Sequence, residues 1–112
     1  MSPDFDTLAV GPDGSTHRVH HCLKCWPDEY RQIETGAKRH DFRANDRKFA
    51  RGDLVLQEEW DPMTEVYTGR RVLGRITAIN YGPEYGIPVE FCAFTFEALE
   101  LARILRPVAG QG

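Results

Sequence analysis

The chain is expected to be mainly β, an α+β domain organised as a small, partly closed barrel of five to six strands with one helix after the first strand. Three observations carry that expectation: several short segments alternate apolar and polar residues, one stretch has helix start and stop signals, and turn residues punctuate the rest. A length of 112 residues with 41% hydrophobic and 11% aromatic residues supplies one core and one domain.

Residues 1–16 are rich in Asp, Gly, Pro and Ser without a sustained apolar period, and read as a flexible leader. The domain proper is placed at 17–106. Over 18–24, Val19, His21 and Leu23 fall on one side and His20, Cys22 and Lys24 on the other, as in a first strand. The helix spans 26–36, with Pro27 at its start, Asp28 and Glu29 in the first turn and Gly36 at its stop. Trp26, Tyr30 and Ile33 are assigned to its inner face, Trp26 as a core anchor.

Residues 39–43 alternate again, His40 and Phe42 one way, Asp41 and Arg43 the other, with Phe42 assigned to the core. Asn45-Asp46-Arg47 is a turn, and a third strand over 54–60 places Leu54, Leu56 and Trp60 on one face before Asp61-Pro62 breaks it. A longer strand over 70–80 is punctuated by Gly74, where a bulge is expected. Residues 82–88 form a loop and 89–96 a central strand. Residues 97–106 fit a strand better than a helix, and 107–112 are expected to fray.

The net charge is -3, so the whole chain does not attract polyanions, yet its charge is unevenly spread. Residues 38–51 hold six basic residues (Lys38, Arg39, Arg43, Arg47, Lys48, Arg51) against Asp41 and Asp46, a local balance of +4. Arginine forks onto phosphate oxygens, which makes this segment a candidate polyanion-facing edge; the alternative is a solvated turn with internal ion pairs. Phe49 interleaves with the cations, and Tyr81 and Tyr85 flank the Gly/Pro loop as a candidate base-stacking lip.

No run approaches the length of a membrane span and the N-terminus lacks a secretion signal, so the cytoplasm is the expected compartment. Three cysteines (Cys22, Cys25, Cys92) are expected as free thiols. His17, His20, His21, Cys22 and Cys25 crowd together and raise a zinc alternative. A strand, however, points Cys22 and Cys25 to opposite faces, and no second pair follows. No metal and no cofactor are therefore expected.

The pattern His21-x-Leu23-Lys24-x-Trp26-Pro27, Gly36-x-Lys38, Asp41-x-Arg43-x-Asn45-Asp46-Arg47-x-Phe49-x-x-Gly52-Asp53, Glu59-Trp60-Asp61-Pro62 and Tyr67-Thr68-Gly69-Arg70 resembles a small bacterial and phage family of unknown function in the ASCH/PUA-like group. That resemblance implies a PUA-like barrel with a cleft beside the first helix, predicted across the wider group to bind RNA or modified nucleotides. One branch of the group looks like an amidohydrolase that deacetylates acetylcytidine with a Lys, a Thr three residues later and a distant Glu. Here Lys38 occupies the Lys position, but Asp41 stands where that Thr would be, and also where the ASCH Glu would be.

The expected function is thus a nucleic-acid, RNA foremost, or modified-nucleotide binding module whose affinity falls with salt. Its ligand-binding residues are Lys24, Lys38, Asp41, Arg43, Arg47, Lys48, Arg51 and Tyr85. The alternative is a small metal-independent amidohydrolase on an acylated nucleoside, with Lys38 as catalytic base oriented by Asp41. A third possibility is a phage protein that docks on a host protein.

Overall fold

The computed structural model describes residues 6–106. Eight strands form two sheets: β1 (Leu8–Val10), β2 (Thr16–Arg18), β3 (His21–Cys25), β4 (His40–Ala44), β5 (Leu54–Asp61), β6 (Val66–Tyr81), β7 (Phe91–Leu99) and β8 (Arg103–Leu105). Among the described residues one α-helix, α1 (Pro27–Thr35), follows β3, and a 3-10 turn lies at Glu84–Gly86. The larger sheet runs β3-β5-β6-β7-β4 and curls into a half-barrel; the smaller runs β2-β1-β8.

β5 explains why the fold has two layers. Its Leu-Val-Leu start is buried on both sides, Leu54, Val55 and Leu56 each being at most 4% exposed. Val55 joins Leu23, Tyr30, Ile33, Phe49, Ile76, Phe94 and Phe96 inside the half-barrel, under α1. Leu54 and Leu56 join Ala9, Val19 and Leu73 beneath the small sheet. Gly74 lets β6 and β7 approach closely, since a Cβ there would lie 2.7 Å from the Phe96 ring. The bulges of the sheet sit instead between Glu58 and Trp60 and between Ile76 and Ala78.

The helix is set as its signals require: Pro27 opens it, Gly36 at φ 88° closes it, and Tyr30 and Ile33 are its buried residues. Trp26 corrects the expectation of a core anchor, for it is 58% exposed, at the cap rather than on the inner face. Residues 8–10 also correct the expected leader. The apolar triplet of β1 pairs with both β2 and β8, and Pro12-Asp13 turns the β1–β2 hairpin, closed by the Gly14 amide donating to the Gly11 carbonyl. Three residues are too short to stand out as a period against so polar a background. The expectations for 1–5 and 107–112 fall outside the described residues.

The single strand expected over 18–24 divides, because Val19 donates to Thr7 and His20 to Leu54 where the chain passes from the small sheet to the large one. At the far end 97–99 complete β7 and 103–105 form β8, with a bend at Ala102 between them and, among these described residues, no helix.

β3 and β4 are the two edges of the curled sheet and face each other across its seam. The seam is closed by side chains in place of a strand ladder. Arg43 Nη2 donates to the Lys24 carbonyl at 3.3 Å, and Arg47 Nη1 to the Cys22 carbonyl at 2.8 Å. These contacts satisfy carbonyls of a strand edge that would otherwise offer a template for pairing.

Candidate functional site in the half-barrel seam

β4 alternates as expected but with its polar side inward. Its register on β7 sets Asp41 opposite Phe94 and Arg43 opposite Cys92, both inner-face positions, whereas Phe42 is opposite Ala93. Phe42 is 52% exposed and stacks on Phe91 at 5.2 Å, which corrects its assignment to the core. What overrides hydrophobic parity is the partner waiting inside, Gln57 of β5, which is 0% exposed.

Gln57 Nε2 donates to Asp41 Oδ2 at 3.0 Å, Arg43 Nε donates to the same oxygen at 2.8 Å, and the Phe42 amide donates to Asp41 Oδ1 at 2.9 Å. The carboxylate accepts from three donors, and this fixes the orientation of the Gln57 amide, whose Oε1 must point away as an acceptor. That Oε1 is buried and has no hydrogen-bond partner among the described residues, a state it shares with Arg71 Nε alone. Orphaned acceptors are uncommon in folded proteins and costly, so this is a position that a bound water or a ligand's donor would satisfy.

The network floors a cleft of about 360 Å3 between α1 and β4. Lys24, Cys25, Trp26, Glu29, Lys38 and His40 also line it. This size suits a small organic ligand. Lys38 donates to Glu29 of α1, with 20% of its own side chain and 52% of Glu29's exposed. Burial, reinforced by Asp41, pushes the Cys25 thiol up to about 11, so the cleft presents a neutral thiol and no thiolate nucleophile.

A second cleft, of about 430 Å3, lies at the β1–β2 hairpin over Leu54, Leu73 and Leu99. It is larger but holds no comparable convergence: Ser15 takes the Asp13 carboxylate and lowers its pKa from within the turn itself.

Of the residues singled out from sequence, the fold brings Lys24, Lys38, Asp41 and Arg43 to one cleft. Arg47 is at the seam on the Cys22 carbonyl, Lys48 and Arg51 are exposed in the loop after β4, and none of the three lines the cleft. Tyr85, 90% exposed on the loop between β6 and β7, also lies outside it. Tyr81 donates its hydroxyl to the Phe49 carbonyl at 2.7 Å, and Phe49 is core. Cys22 and Cys25 occupy opposite faces of β3, while His20 Nδ1 accepts from the Leu54 amide and His21 Nε2 meets Asp53, both at 2.8 Å.

Sequence reasoning missed Gln57, Glu29 and the exposed rim of Trp26 and Phe42. A signal for Gln57 was present: a neutral amide at an inward parity position of the apolar strand Leu-Val-Leu-Gln breaks a local rule and so marks a candidate position. The other distant motifs meet in a separate cluster, where buried Glu59 accepts from Thr68 Oγ1 at 2.7 Å and Arg70 Nε at 2.8 Å, stitching β5 to β6.

Fold and cleft together define a small β half-barrel domain with one helix and a charged, aromatic-rimmed cleft at its seam. The chain belongs to the family described as Domain of unknown function (DUF3850), whose model matches residues 20–96. The match covers the five-stranded sheet nearly to the end of β7, with α1 and the cleft, and excludes all three strands of the small sheet. The chain is also similar to the uncharacterized 12.9 kDa protein in the GpA 3′ region of Escherichia phage P2, at 37% identity over 60 residues. That alignment covers 54% of this chain and 53% of the phage protein, so the chain spans about half the length of the curated relative it matches. Among the described residues no helix is long and apolar enough to cross a membrane.

Proposed function

We propose that this chain is a binding module for a nucleobase-bearing ligand, either a modified nucleotide or an unpaired base of RNA, held in the cleft between α1 and β4. The observation that carries the proposal is Gln57 Oε1, a buried acceptor without a partner beside the Asp41–Arg43 pair. A ligand that satisfies it brings an N–H or O–H donor, and the neighbouring Arg43 and Lys38 offer donors to an adjacent carbonyl or phosphate oxygen. Donor beside acceptor on a planar edge is the pattern of a nucleobase, and exposed Trp26 and Phe42 supply flat apolar surface at the mouth.

The curled sheet with a cleft beside α1 supports placing the fold in the ASCH/PUA-like group, and three free thiols support a cytoplasmic setting. Binding is favoured over hydrolysis by the pairing inside the cleft. Lys38 donates to Glu29, and Asp41 is held by Phe42, Arg43 and Gln57, so the carboxylate does not orient the ammonium as a base would need.

The test is calorimetric titration of the chain with ribonucleoside monophosphates, base-modified nucleotides and a short mixed-sequence RNA. Binding that is weakened in both Gln57→Leu and Trp26→Ala is expected. Absence of binding across the panel, or binding indifferent to both substitutions, would overturn the assignment, and release of an acyl group during titration would restore the hydrolase.

A further inference from the structure

The cleft does not end at Trp26. The Trp26 ring lies 6.5 Å from that of Trp60, and Trp60 is the cross-strand partner of Tyr67, which is 53% exposed. Lys24 Nζ sits 4.0 Å over the Trp60 ring. Cys22 and Lys24 alternate with the buried Leu23 and Cys25, so they look outward from β3. On that same side Arg106 reaches Glu58 at 2.6 Å and Cys22 Sγ at 3.6 Å, and Arg47 reaches the Cys22 carbonyl. Burial and then Glu58 raise the Tyr67 hydroxyl's pKa, opposed by Arg106 and Arg47, which leaves a neutral donor among cations.

We infer that the ligand is a strand and not a free nucleotide: Trp60 and Tyr67, with Lys24, Arg47 and Arg106, form a second subsite that continues from Trp26 out of the cleft. This inference rests on the nucleobase reading of the cleft. Its own support is the composition of the strip, in which flat side chains alternate with cations as bases alternate with phosphates along a single strand. Glu58, the acid on this face, is neutralised by Arg106. The Lys24–Trp60 contact is a partly exposed cation–π pair, weak enough to exchange for a phosphate when a base takes the ring.

The experiment compares fluorescein-labelled mixed-sequence RNA and DNA hexanucleotides with ribonucleoside monophosphates, by anisotropy and by competition. Wild type, Trp60→Leu and Tyr67→Ala are measured, the last being an exposed position where loss of folding is not expected. A hexanucleotide is expected to bind at least about tenfold tighter than any mononucleotide. Either substitution should bring it down to the mononucleotide level and leave mononucleotide affinity unchanged. Equal affinity for hexanucleotide and mononucleotide would overturn the second subsite and leave the cleft standing, as would a hexanucleotide advantage that survives both substitutions. Failure of wild type to bind either probe would overturn the cleft reading and this one with it.

Discussion

Replacing Gln57 by leucine separates a ligand-binding role from a structural one. In the folded chain Gln57 contributes one hydrogen bond to the Asp41 carboxylate at 3.0 Å and bears one buried acceptor without a partner. The bond to a charged group is worth roughly 1.5–3 kcal/mol, and the orphaned acceptor costs roughly 1–3 kcal/mol. Leucine removes both at similar volume, and Asp41 keeps the Phe42 amide and Arg43 Nε. The two terms cancel to within about 1 kcal/mol, so urea denaturation of Gln57→Leu should give nearly the wild-type stability. Truncation to alanine at the same site opens a cavity and should cost about 2 kcal/mol or more. Ligand affinity should fall in Gln57→Leu by about 1–3 kcal/mol, roughly 5- to 150-fold, because the ligand's donor then faces a methyl group. A stability loss above about 3 kcal/mol with unchanged affinity would show that Gln57 is part of the scaffold and refute the reasoning.

Trp26→Ala should change the denaturation midpoint little, about 0.5 kcal/mol, because the ring is 58% exposed, yet should weaken ligand binding by about 1–3 kcal/mol; equilibrium unfolding and calorimetry report the two separately. If Lys24 and Arg47 meet two phosphates while Arg106 stays paired with Glu58, the logarithm of hexanucleotide affinity should fall with that of salt with a slope of about -1.4, about sevenfold between 50 and 200 mM, measured by anisotropy. Stability should also fall in alkali: burial, then Glu34, pushes Tyr30 from its ordinary 10 up to about 12, and burial, then Asp41, pushes Cys25 from 9 up to about 11. Both hold their protons more tightly when folded, so their contribution is intact below the ordinary values and is lost as pH climbs through the folded ones, on the order of 3 kcal/mol each between about pH 9 and 12. Gly74→Ala should lower the melting temperature, since its Cβ would come within 2.7 Å of the Phe96 ring and the packed β6–β7 face must shift.

Local chemistry made much of the architecture legible. Pro27 and Gly36 bracket the helix in the sequence as they do in the structure, and the alternation of His21 and Leu23 with Cys22 and Lys24 identifies the inward side of β3. The cleft was legible in part, because Lys38, Asp41 and Arg43 lie within seven residues after the helix stop and reach the same space through one short turn and one strand. Gln57 showed only as a polar break in an apolar strand; its partnership with Asp41 was not legible, because it depends on a curl that brings β5 and β4 together across the seam, a long-range contact that no periodicity encodes. The same curl explains why the basic segment divides. Arg43 and Arg47 each donate to a carbonyl of β3 and so tie the segment to the seam, a contact that charge counting does not reveal. Phe42 was misassigned because hydrophobic parity decides a face only where the inner face is apolar, and here it carries an ion pair.

The central claim, that the seam cleft receives a base-bearing ligand through Gln57, is tested most directly by nuclear magnetic resonance of the isotope-labelled chain titrated with the tightest-binding nucleotide of the panel. The account predicts shifts concentrated on the Gln57 side-chain amide, the Phe42 backbone amide and the Trp26 indole, with no response at Ala9 or Ser15 beside the second cleft. Shifts confined to that second cleft, or a Gln57 amide that does not move at saturation, would contradict it.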